Sequence, residues 1–207
     1  GERGWIVTSP DGITWTRQTS GVSQQLFDVV WGGNQFVALG SESTILTSSD
    51  GIEWTKRPSG TFELFTGVTW TGSKFVAGGA NGSVFTSSDG ISWASQYTGS
   101  DLHGIIWSGE QFVGLNTTGD ILTSPDGTHW ESHPSGNANF LGRTAWSGNQ
   151  YVAVGAQGTV LSSPDGVEWT QRNSGSIALL DGVAWNGEQY VAVGQDWTYP
   201  GTMGGIV

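Results

Sequence analysis

The sequence predicts an all-β fold, a five-bladed β-propeller of four-stranded antiparallel blades, and three observations carry that expectation. Glycine supplies 34 of the 207 residues and tryptophan 12, while charged residues are only 12%. Helix formers are scarce and Thr, Val, Trp and Ser dominate, which suits short strands joined by glycine-rich turns. The string Ser-x-Asp-Gly-x-x-Trp recurs five times, with its aspartate at Asp11, Asp50, Asp89, Asp126 and Asp165. A second tryptophan column, Trp31, Trp70, Trp107, Trp146 and Trp185, lies 19 residues before the next aspartate wherever one follows. Ten of the twelve tryptophans fall in these two columns, so a unit of roughly 39 residues is a structural repeat.

Each unit reads as four strands, and residues 26–60 show the order. Leu26 to Trp31 is a short apolar run, and Gly32, Gly33 and Asn34 make a tight turn. Phe36 to Leu39 is the second strand, residues 40–43 a Gly/Ser loop, and Thr44 to Ser48 the third strand. In Asp50-Gly51 the carboxylate can bond its own backbone and the glycine accepts a positive φ, so the chain reverses there. Glu53 to Arg57 is the fourth strand, ended by Pro58-Ser59-Gly60. No window shows a helical period.

The repeat defines a single domain over 1–207, with blades at about 22–60, 61–99, 100–136 and 137–175 and a last blade at 176–207 completed by 1–21. The expected closing blade takes its inner strands from the C-terminus and its outer strands from the N-terminus. Gly4 to Val7 and Ile206-Val207 then compete for one third-strand place. The N-terminal segment is expected to win, because it continues into a full hairpin.

The charge balance narrows the partners. Eighteen acidic residues against seven basic ones give a net charge of −11, which repels a phosphate backbone or an anionic membrane surface. No apolar run reaches the length of a spanning helix, and with no cysteine there is neither a disulfide nor a thiolate metal site.

The Ser-x-Asp-Gly-x-x-Trp strings, such as Ser48 to Trp54, resemble the Asp-box of bacterial neuraminidase repeats, one residue shorter than the usual form. The whole unit, as in Gly182 to Gly194, is similar to the WD40/YVTN/BNR-like repeats of bacterial secreted and cell-surface proteins. Five small blades also resemble the tachylectin-2 type of lectin in architecture. The resemblance implies a secreted or cell-surface module that binds a glycan or a protein surface. A non-enzymatic, lectin-like monomer without cofactor or metal is the first expectation. A protein-binding scaffold or assembly factor is the alternative, and a sialidase-type glycosidase comes third.

The candidate residues follow from where the repeat holds and where it varies. The five aspartates are expected to staple turns, since every blade needs that turn. The second tryptophan column is either packing between blades or a set of stacking platforms for sugar rings. Strand alternation puts the Asp-Gly and Trp-x-Gly turns on one face. The linkers between blades, together with the loops from second to third strand, lie on the other. That second face varies from unit to unit, as binding loops on a rigid scaffold do. Its candidates are Asp101, His103, Phe140, and the pair Trp197 and Tyr199 in an insertion after Gly194. No catalytic residue is assigned. Arg17, Arg57 and Arg172 follow the fourth-strand tryptophan and belong to outer strands, and Asp28 and Asp181 approach inner strands. Asn81-Gly82-Ser83 and Asn116-Thr117-Thr118 match the glycosylation sequon.

Overall fold

A computed structural model of the chain describes residues 2–60, 63–195 and 205–206. It is all-β and built of β-propeller blades, and it divides into two compact units, Gly1–Gly99 and Ser100–Val207.

In the first unit a hairpin of β1 (Ile6–Thr8) and β2 (Thr16–Gln18) precedes two complete blades. The first blade is β3 (Leu26–Gly32), β4 (Gln35–Gly40), β5 (Ile45–Ser48) and β6 (Thr55–Arg57). The second is β7 (Phe65–Trp70), β8 (Phe75–Gly79), β9 (Ser83–Ser87) and β10 (Ala94–Tyr97). In the second unit one blade is β11 (His103–Trp107), β12 (Phe112–Leu115), β13 (Ile121–Ser124) and β14 (Glu131–His133). The next is β15 (Leu141–Trp146), β16 (Tyr151–Gly155), β17 (Val160–Ser163) and β18 (Thr170–Arg172). A three-stranded sheet follows, made of β19 (Leu179–Trp185), β20 (Tyr190–Gln195) and β21 (Gly205–Ile206). Every strand pairs antiparallel with its chain neighbour, and five inner strands, β3, β7, β11, β15 and β19, each start a blade.

One expectation is corrected. The strand next to β20 is β21, with Val193 opposite Ile206 and Gly194 opposite Gly205, whereas residues 4–8 were expected there. Gly205–Ile206 follows β20 closely in the chain, so bringing it alongside closes only a short loop. The N-terminal segment is also less strand-like than its sequence implied. Glu2–Gly4 is a single 3-10 turn, with Arg3 and Gly4 both at positive φ, and β1 begins only at Ile6.

The core of each unit lies between blades. In the first, Val37, Leu39 and Ile45 of one blade meet Phe65, Phe75, Ala77 and Phe85 of the next. In the second, Val113, Leu115 and Ile121 meet Leu141, Tyr151, Ala153 and Leu161. The period-two alternation of a strand explains the arrangement: Val37 and Leu39 face the following blade, while Ala38 faces the hairpin with Leu26 and Leu46. Burying each Val, Leu or Phe side chain in such a joint contributes about 1.5–3 kcal/mol.

A detail absent from the sequence reading recurs in all five inner strands. Each has a bulge at its second residue or close to it, at Phe27, Thr66, Gly104, Gly142 and Asp181, where the pairing slips by one. A bulge adds local twist and re-aims one side chain. No residue type marks the position, which is why the sequence does not show it.

Glycine in the recurring turns does two different jobs. Gly12 and Gly90 both hold positive φ, but a β-carbon on Gly12 would meet nothing within 4 Å. One on Gly90 would lie 2.8 Å from the Gln35 amide nitrogen and 2.9 Å from a Val37 methyl in the preceding blade. Alanine at either site is strained by about 1–2 kcal/mol. The Gly90→Ala variant is therefore expected to lose clearly more stability in urea unfolding than Gly12→Ala. Equal losses would mean that the joint between blades yields without cost.

Candidate functional site

The five repeated turns share one hydrogen-bond pattern. In the first complete blade the Asp50 Oδ1 accepts the N–H of Ile52 at 2.8 Å and of Glu53 at 3.0 Å. The Ser48 hydroxyl donates to the same oxygen and accepts the Gly51 N–H, and the Trp54 indole donates to the Gly51 carbonyl at 2.8 Å. The aspartate and serine bonds repeat at Asp11, Asp89, Asp126 and Asp165. The indole bond repeats at Trp15, Trp93 and Trp169, whereas the buried Trp130 nitrogen has no acceptor among the described residues. Two backbone N–H groups favour the charged carboxylate, so all five aspartates titrate below the usual range. Asp126 is held lowest, because the His129 backbone and then its ring, 2.8 Å away, both bond to it.

The second tryptophan column packs into the blades. Each member meets the aromatic ring opposite it on the next strand: Trp31 on Phe36, Trp70 on Phe75, Trp107 on Phe112, Trp146 on Tyr151 and Trp185 on Tyr190, at 4.0–4.6 Å between centroids. In four blades that second ring lies 6.0–6.3 Å from the tryptophan of the turn, giving a ladder of three aromatics across three strands. Trp70 also covers Gly32 of the preceding blade, and Trp146 packs on the core shared by its own blade and the one before it. Trp31 is 51% exposed; the other four tryptophans of the column are partly covered.

Long polar side chains tie one blade to the next, and here sequence reasoning missed a column. The residue just before the second strand's aromatic is Gln35 or Gln111 in two blades. The Gln35 amide donates to the Asp89 carbonyl at 2.6 Å, and the Gln111 amide to the Asp165 carbonyl at 2.5 Å and the Tyr151 hydroxyl at 3.2 Å. The glutamine that precedes the second-strand aromatic in four of the five units (Gln35, Gln111, Gln150 and Gln189, with Lys74 in the other) was the available signal.

The variable face carries the remaining candidates. His103 and Phe140, from successive blades, meet edge to face at 5.8 Å. Burial lowers the His103 pKa, with the negative charge of Asp101 pulling the other way. Ile177, in the following linker on the same face, is 71% exposed. Trp197 and Tyr199 lie outside the described residues. Asp28 and Asp181 hold structural partners: Asp28 accepts the N–H of Val68 on the neighbouring inner strand at 3.0 Å, and Asp181 accepts the Gln195 amide. Arg17, Arg57 and Arg172 stand on outer strands, over the Trp5 ring or bonded to a hydroxyl of the third strand. Asn116 is 4% exposed, with its side-chain oxygen bonded to Thr118 and Asp120, so this sequon is folded inward. Among the described residues no group of three or more acidic, histidine or cysteine side chains is arranged to hold a metal ion. Among the described residues no helix is long and apolar enough to cross a membrane.

Repeated antiparallel blades with cores between them define a β-propeller. No family model matches the chain, and no curated protein matches it. Among solved structures it is similar to YCF48 from Cyanidioschyzon merolae, at 14% identity and a TM-score of 0.67, covering 92% of this chain and 67% of that one. It is also similar to YCF48 bound to D1 peptide, at 18% identity and a TM-score of 0.59, covering 94% and 85%. A chain of a nidogen/laminin complex superposes at 13% identity and a TM-score of 0.70, covering 87% and 76%. At these identities the likeness is one of fold.

Two measurements test the geometry. The turn aspartates have depressed folded pKa values, so the stability they contribute is present above about pH 4, the unfolded aspartate value, and is lost as pH falls through the folded values. The urea midpoint is expected to fall on acidification in that window, and Asp50→Asn is expected to flatten the fall. An unchanged acid limb would separate the turns from acid stability. Gln111→Ala leaves the Asp165 carbonyl without its partner and is expected to cost about 1–2 kcal/mol in the same assay.

Proposed function

We propose that this chain is a non-enzymatic, protein-binding β-propeller that engages its partner on the variable face, through Asp101, His103 and Phe140. The observation that carries the reading is the meeting of His103 and Phe140 across two blades at 5.8 Å, on the face where the repeat varies. An aromatic edge beside a half-buried imidazole and a carboxylate offers an apolar anchor with a polar rim, the pattern of a protein hot spot. The tryptophan column gives less support to a five-site lectin, because each ring is already stacked on its cross-strand aromatic. Similar folds include a YCF48 bound to D1 peptide and a nidogen/laminin complex, and both names speak of protein partners. Such a module would act as one five-bladed domain, secreted or at a cell surface, with an acidic net charge of −11.

Selection of a peptide-display library on the purified chain tests this reading. Selected peptides are expected to bind at least tenfold more weakly to Phe140→Ala and to His103→Ala. Tyr97→Ala, an exposed aromatic on an outer strand, is expected to leave binding unchanged. Selected peptides indifferent to positions 103 and 140 would overturn the assignment.

A further inference from the structure

We propose that a second copy of this chain docks on the N-terminal hairpin and β3, seating its own β19 and β20 there as the inner half of a blade. The inference rests on two apolar faces that the chain leaves exposed, and it is independent of the partner-binding reading.

The repeat shows what each exposed face lacks. Within a joint, alternate residues of the second strand point to the following blade: Val37 and Leu39 are fully buried against Phe65, Phe75 and Ala77. The residues at the same distance from the repeated tryptophan in β20 are Val191 and Val193, which are 37% and 44% exposed. Tyr190 and Ala192 between them face the preceding blade instead, on Val152 and Val154. On the receiving side of a joint, Val68 is 5% exposed, with Trp70 packed on the same core. Its counterpart in β3, Val29, is 56% exposed beside the half-exposed Trp31. One chain thus carries the forward half of a joint in its second unit and the receiving half in its first, and leaves both open to solvent.

The backbone edges match in the same way. The hairpin of β1 and β2 has the serine and aspartate bonds of a turn between third and fourth strands. In complete blades the third strand pairs on both sides, whereas β1 pairs with β2 alone among the described strands. β20 has the complementary opening. β21 pairs only with its Val193 and Gly194, whereas β4 pairs with its third strand from Phe36 to Leu39. The register of the complete blade would set Val191 opposite Thr8 and Ala192 opposite Val7. An open strand edge beside an open apolar face is the setting for strand addition from another chain.

The receiving face also has room. A cavity of about 240 Å³ lies between the hairpin and β3, lined by Trp5, Val7, Phe27, Val29 and Trp54 among others. Asp28 is the one charged residue of its lining, and that carboxylate already accepts the N–H groups of Val29 and Val68. The strand offered to it, Tyr190–Gln195, is uncharged and alternates aliphatic side chains in the pattern that fills the first joint. The two faces differ, so the contact is heterologous: a copy can receive one neighbour and be received by another.

Sedimentation velocity over a concentration series tests the proposal. The chain is expected to self-associate with Kd on the order of 1–100 µM. Added salt is expected to tighten the association, because it screens the repulsion between two chains of net charge −11 and leaves an apolar joint intact. Val29→Glu and Val193→Glu replace exposed side chains, so each is expected to keep the parent urea midpoint while weakening association at least tenfold. Ile13→Glu, at an exposed position in a turn, is expected to leave association unchanged. Mixing Val29→Glu with Val193→Glu is the decisive sample. Each copy keeps one intact face and the two intact faces are complementary, so heterodimers are expected where neither variant alone dimerises. A chain that stays monomeric to about 0.5 mM overturns the proposal, whether it closes on itself or takes another protein at this face. Association indifferent to both substitutions overturns it as well, as does a mixture no more associated than its components.

Discussion

One carboxylate oxygen holding two backbone N–H groups is the interaction on which the rest of this structure depends. In each recurring turn it fixes the reversal between third and fourth strands, and the glycine beside it lets the chain turn at positive φ. The reversal then sets the tryptophan three residues on against the sheet, within reach of the aromatic on the second strand. The same turn is also a docking point. The Asp89 and Asp165 carbonyls each receive a glutamine amide from the preceding blade, so one short motif organises a blade internally and ties it to its neighbour. With so few charged residues and no disulfide, such polar bonds and the apolar joints carry the stability.

Regularity of the turns releases the opposite face from structural duty. The linkers there differ in residue type, and the bulge near the start of each inner strand lets a different side chain emerge at the same place: an aromatic at Phe27, a hydroxyl at Thr66, none at Gly104 and Gly142, a carboxylate at Asp181. A binding surface can change there without disturbing the ladder beneath. A groove on the turn face, between the two complete blades of Gly1–Gly99, varies by another route. Side chains of the turn and the fourth strand line it, and Glu53, Thr55 and Arg57 in one blade become Ser92, Ala94 and Gln96 in the next, while the fourth blade repeats the first set as Glu168, Thr170 and Arg172.

The parts of the fold legible in advance were the local ones. Strand order, turn chemistry and blade count follow from spacing, because each depends on residues within about ten positions of one another. Of the candidate site, the variable face was legible as a region, but the contact of His103 with Phe140 was not, since it joins residues from two blades. The glutamine ties were missed for a similar reason: their partners lie 54 residues away, and a glutamine in a turn looks like an ordinary surface residue. The tryptophan column shows the difference well. Spacing marks five equivalent rings, yet Trp70 is covered by the blade before it while Trp31 stands half exposed.

The sequence by itself determined an all-β chain of repeated four-stranded units, each closed by a carboxylate-capped turn, because those features rest on short-range hydrogen bonds and strand periodicity. Tertiary structure alone decided which strand lies beside β20, which aromatic rings remain accessible and which polar side chains keep unused bonding capacity. These depend on what approaches a surface from elsewhere in the chain. Gly205–Ile206 reaches β20 ahead of the N-terminal segment because a short connection costs less entropy to close. The Glu53 carboxylate stays unmatched among the described residues because the side chains of the neighbouring blade on that side, Ser88, Asp89 and Ile91, bring no positive charge.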